Sequence, residues 1–245
     1  ALTLYVGIAL SLGWFYCIWF VPEVFQGIEL LDWNITVLWL TSLGVSAAAM
    51  FLIPLALREK RHLIAHRSLV WISGITMSVG SLIVMMGTPI MRGIWSGVIA
   101  TVLMSVASAV LWILWGEYYT TLRVSYFVEQ VAPTVGSVVL GSIVLAIVLP
   151  APVNCIFIAS LPILSSWLLF SVLRKSPKPD FPPLLPKPER TVSMRSILIV
   201  CGIAAGASSA CYFTVAIIPV WDLTWDSTSF TYGAIVGSIV LILIG

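Results

Sequence analysis

The sequence predicts an all-α protein, a polytopic transmembrane helical bundle, on three observations. Hydrophobic residues make up 60% of the 245 positions and mean hydropathy is +1.09, more apolar surface than a water-soluble domain of this length can hide. The apolar residues fall into runs of the length a bilayer core requires, roughly 20 residues per helical span. Those runs are continuous rather than alternating, which selects helices over barrel strands.

The runs place spans at 2–21, 33–57, 68–88, 94–115, 131–149, 152–173 and 196–220, with an eighth from 230. The first is too long for a signal-peptide core and ends in the bulky "FYCIWF" instead of small residues. The second and third are divided by the basic loop "REKRHLIAHR", the third and fourth by a short segment holding Arg92. The fourth closes on "WILWGEYYTTL", where Glu117 directly follows membrane-grade sequence. The fifth and sixth are separated by a few residues rich in proline. After the sixth comes "RKSPKPDFPPLLPKPERTVSMR", whose six prolines between Pro177 and Pro188 remove amide donors and fix φ. The chain therefore divides into a six-span bundle (1–173), a basic, proline-rich linker (174–195) and the start of a second bundle (196–245). Because the sequence opens inside a span and stops at "SIVLILIG", it is expected to continue.

Eleven of the twelve Lys and Arg residues share one side of this layout: Arg58, Lys60, Arg61, Arg67, Arg123, Arg174, Lys175, Lys178, Lys187, Arg190 and Arg195. The opposite side holds Arg92 with Glu23, Glu29, Asp32, Asp222 and Asp226. Basic loops stay inside, so the start of the chain and the loop before the third span are expected in the cytoplasm of a multi-pass inner-membrane protein. Trp19, Trp33, Trp95, Trp115, Tyr118, Tyr119, Trp221 and Trp225 lie near span ends, where amphipathic rings anchor at headgroup depth. Trp14 and Trp112 lie deeper and are candidate cavity aromatics.

Small residues recur every four positions at Gly97, Thr101, Ser105 and Ala109 in the fourth span and at Gly202, Gly206 and Ala210 in the seventh, the spacing of helix-packing seams. The words "GSIVLAIV" (141–148) and "GSIVLILI" (237–244) nearly repeat, as in transporters built from repeated units.

Apart from Asp32, Arg92 and Glu117 at their edges, the spans contain no Asp, Glu, Lys, Arg or His, so no proton-relay group is visible at membrane depth. Cys17, Cys155, Cys201 and Cys211 lack metal-ligand or disulfide-framework spacing. His62 and His66 are four apart, but sit in a basic loop better read as solvated. With no grouping of nucleophile, base and orienter, neither an enzyme, a metal site nor a cofactor is expected. Glu117 is read as a residue at the end of a span, either a plain polar stop signal or, in the sharper reading, the partner of a basic loop residue such as Arg58 or Arg61 that changes partner when the bundle moves. Trp115, Gly116, Glu117, Tyr118 and Tyr119 form the candidate cytoplasmic coupling segment.

Six spans, a long basic loop and a second bundle resemble the layout of the major facilitator superfamily. The loop between spans two and three of those carriers has an Asp between glycines followed by basic residues, whereas "LALREKRHLIAHR" keeps only the basic charge. The words "LGWFYCIWFVPEVF", "WGEYYTTL", "LPILSSWLL" and "GIAAGA" are more similar to bacterial multi-span regulators that join a facilitator-like membrane region to a C-terminal LuxR-type helix-turn-helix domain. That resemblance implies a sensory or anchoring membrane domain responding to a small or lipophilic signal. Its partners would be the lipid bilayer and, through a domain beyond residue 245, DNA. The competing expectation is half of a facilitator-type carrier for a neutral solute.

Overall fold

The computed structural model describes residues 2–21, 24, 35–57, 62–86, 94–120, 127–175, 199 and 228–244. Among them are seven α-helices and no strand: α1 (Leu2–Phe20), α2 (Ile35–Leu57), α3 (Arg67–Met86), α4 (Ile94–Thr120), α5 (Phe127–Val148), α6 (Val153–Lys175) and α7 (Thr228–Ile244). A 3-10 turn, Leu63–Ala65, joins α2 to α3. Five helices, α2 to α6, are long and apolar enough to cross a membrane, and α1 carries a shorter apolar stretch, Tyr5–Phe20. Helices are what this composition permits in lipid, because they satisfy their backbone groups internally. Pro54 in α2, Pro133 in α5 and Pro162 in α6 each remove one such internal bond and still lie inside their helices.

Helices α1 to α6 coincide with the first six expected spans and α7 with the eighth; the seventh, at 196–220, lies outside the described residues. Helix α4 continues past the apolar run through Thr120, with Glu117 partnered and Tyr118 buried. One end differs from the expected boundary. Helix α6 continues through Lys175, so Arg174 and Lys175 form its last turn, where cations complement the helix dipole. The rest of the linker lies outside the described residues. Between α5 and α6 a tight turn contains the cis peptide Ala151–Pro152, and the amides of Val153 and Asn154 both donate to Pro150 O.

Neighbouring helices follow the order α2, α4, α3, α6, α1, α5, α7, with α1 also meeting α4. Close approach occurs where one partner is small. A Cβ added to Gly13 of α1 would lie 2.8 Å from Ser142 Oγ of α5, and one on Gly80 of α3 would lie 3.2 Å from Ala100 O of α4. Backbone proximity of this kind is how helices associate where lipid is as apolar as their side chains. The core runs through Trp14, Ile18, Met77, Met85, Met104, Leu111, Leu114, Trp115, Ile143, Ile158 and Leu169. The outward faces carry large apolar residues such as Phe51, Leu55, Ile72, Ile99 and Val148, as a lipid-facing surface requires. The two near-repeated words occupy α5 and α7, which pack together, and each exposes its glycine while burying its serine, Ser142 or Ser238.

Candidate functional site

Helix α4 ties the bundle together with a ladder of polar contacts along its length. Near its middle, Ser105 Oγ donates to Ser42 Oγ of α2 at 2.9 Å, and Ser46 Oγ donates to Ser105 O at 3.2 Å. Ser46 Oγ also lies 3.4 Å from Ser108 Oγ. Two turns on, Trp112 Nε1 donates to Ser11 Oγ of α1 at 2.7 Å. Trp115 Nε1 then donates to Ser165 Oγ of α6 at 3.1 Å, and that hydroxyl donates to Gly7 O of α1 at 2.7 Å. A polar group buried in a membrane gains from a protein partner, and each such tie favours one facing of the helices over others. Among the described residues α2 is the least buried of the five long apolar helices, and these hydroxyl contacts lie on its face toward α4.

The expected small-residue stripe is partly this seam. Thr101, Ser105 and Ala109 are fully buried, whereas a Cβ on Gly97 would have no neighbour within 4 Å. Gly202, Gly206 and Ala210 lie outside the described residues. Trp14 is enclosed, and its Nε1 donates to Ser81 Oγ of α3 at 2.7 Å. Trp112 is half-buried, with the Phe15 ring edge-on at 5.8 Å. Of the aromatics expected at headgroup depth, Trp19, Trp115 and Tyr118 are buried in the bundle. The Trp115 ring rests on the space Gly7 leaves, where any Cβ would collide with it.

The residues expected as a coupling segment lie in the last turns of α4. Trp115 and Tyr119 stack at 5.7 Å with 28° between planes, and Tyr118 packs edge-on against Trp115. Gly116 is exposed and has nothing within 4 Å of its would-be Cβ. Glu117 reaches across to the 3-10 turn: Leu63 N donates to Oε1 at 3.1 Å and Ile64 N donates to Oε2 at 2.8 Å. His62 Nδ1 lies 3.9 Å from Oε1. The first amides of any helical turn lack internal partners, and a carboxylate set against them meets both those donors and the positive end of the turn. Leu63 and Ile64 are themselves buried, so the turn is held from two sides, by apolar packing and by one carboxylate.

The expected partners Arg58 and Arg61 lie outside the described residues, and the partner the structure adds is the backbone of the loop. The apolar pair Leu63–Ile64 inside an otherwise basic loop is the signal in the sequence that this segment is folded back onto the bundle. His62 and His66 flank the turn rather than sharing a helical face. Among the described residues no three of His, Cys, Asp and Glu come together as a metal site would need. What this arrangement can do is mechanical: one carboxylate clamps the α2–α3 connection to the helix that also holds α1, α2 and α6. No protein-family model matches the chain, and neither a curated protein nor a solved structure matches it.

Proposed function

We propose that the chain is the membrane-embedded sensory and anchoring part of a LuxR-type transcription regulator, with a facilitator-like bundle. The observation behind this reading is the clamp of Glu117 on the amides of Leu63 and Ile64. A small or lipophilic signal favours one packing of the bundle over another, α4 moves with it, and the clamped α2–α3 connection carries the change to the cytoplasmic surface. The signal needs differential affinity for the two packings, about 1.4 kcal/mol for each tenfold shift in population. Helix ties worth about 0.6 kcal/mol on average in a bilayer are weak enough to exchange within that range. The charge of the loops supports a cytoplasmic position for the clamp, where an output domain would read it and bind DNA.

Chromatin immunoprecipitation of the tagged full-length gene product tests this reading. Enrichment at discrete promoter sites is the expected result. No enrichment, together with concentrative uptake of a neutral solute by the reconstituted protein, would replace it with the carrier reading.

A further inference from the structure

Helices α3 and α6 run antiparallel and close together: a Cβ on Gly74 of α3 would lie 3.1 Å from Pro162 O of α6. One turn nearer the Glu117 end, the rings of Trp71 and Phe170 meet at 5.7 Å. Arg67 lies four residues before Trp71 and Arg174 four residues after Phe170, so both fall one helical turn further toward the same end. Lys175 follows directly, and all three cations are exposed. Among the described residues no carboxylate lies within ion-pair distance of any of them.

On α6, Trp167 shares the flank of Phe170 and Arg174 by helical spacing and is 52% exposed; Ile75 on α3, one turn beyond Trp71, is equally exposed. The surface along the α3–α6 seam therefore grades from three exposed cations at one end, through aromatic rings, to exposed apolar side chains. Arg67 also stands in the first turn of α3, where a cation works against the helix dipole. Helix stability does not account for it.

We propose that this seam surface binds an anionic glycerophospholipid. Its phosphate lies among Arg67, Arg174 and Lys175, and one acyl chain follows Trp71 and Trp167. Basic mouths between transmembrane helices at the cytoplasmic side suit such headgroups. The proposal rests on the chain crossing a bilayer and not on the regulator reading, so either can fail without the other.

Native mass spectrometry of the purified full chain, titrated with dioleoylphosphatidylglycerol and separately with dioleoylphosphatidylcholine, tests it. The anionic lipid should saturate a first adduct at lower concentration than the zwitterionic one. A Lys or Arg near an anionic surface is worth roughly fivefold in affinity. The variant R67Q/R174Q/K175Q should therefore raise half-saturation by phosphatidylglycerol at least about tenfold, leaving phosphatidylcholine unchanged as a check on folding. Trp167→Ala keeps every charge and should also weaken the anionic adduct. The control R58Q/K60Q/R61Q removes as much charge elsewhere and should not. Equal retention of the two lipids, an unaffected triple variant, an unaffected W167A, or an equal loss in the control would overturn the site; the last outcome would leave only a diffuse basic surface.

Discussion

Replacing Glu117 with alanine removes both acceptors of the Leu63 and Ile64 amides at once. Hydrogen bonds to a charged group are worth about 1.5–3 kcal/mol each, and a buried donor left unmade costs a similar amount. The Glu117 side chain is 19% exposed, so water takes over part of the loss, and local opening of the turn should become easier by about 2–4 kcal/mol. Native-state hydrogen exchange reads this directly. The amides of Leu63 and Ile64 should exchange roughly 30- to 1,000-fold faster in E117A, while the middle of α3 stays protected. Glu117→Gln keeps one acceptor but turns an NH2 toward the second amide, so its effect should be intermediate. Unchanged exchange at both amides in E117A would refute the clamp, since apolar packing of Leu63 and Ile64 would then hold the turn by itself.

Gly74→Ala should destabilise the purified chain by about 1–3 kcal/mol through overpacking, because the new Cβ meets Ser166 Oγ and Pro162 O; Gly97→Ala, facing open space, should be neutral or slightly stabilising. Equal thermal shifts for the two would contradict the α3–α6 packing. A double-mutant cycle of Trp14→Phe and Ser81→Ala should give a coupling near 0.6 kcal/mol and at most about 1.7, measured by unfolding in mixed micelles; zero coupling would remove that tie. Single cysteines at His62 and Ser176 in a cysteine-free background should resist an impermeant thiol reagent in intact cells, and one at Leu223 should react. Labelling at His62 would reverse the proposed orientation.

The helices were legible because a bilayer leaves a chain this apolar few alternatives, and their number and order along the described residues follow from run length. Their ends were less so. Glu117 reads as a residue at the end of a span by composition, but the two backbone amides that donate to its carboxylate come from another loop, and no local pattern encodes an acceptor's distant donors. Trp115 looks like an interfacial anchor by position and is buried because Gly7, over a hundred residues earlier, makes room for it. The serine ties were invisible for the same reason: Ser42 and Ser46 show helical spacing, but that their partners are Ser105 and Ser108 depends on α2 neighbouring α4. Spacing along one helix reads a face; which helix covers it is set by the whole bundle.

Signalling by this bundle requires that the Glu117 clamp transmit. Transcript profiling of a strain deleted for the gene and complemented with full-length wild-type, E117Q or E117A protein, matched for membrane abundance, measures that directly. A set of transcripts should change on deletion and return with the wild type. E117A should hold that set in one state whatever the growth conditions, with E117Q between the two. Restoration by E117A indistinguishable from wild type would contradict the account.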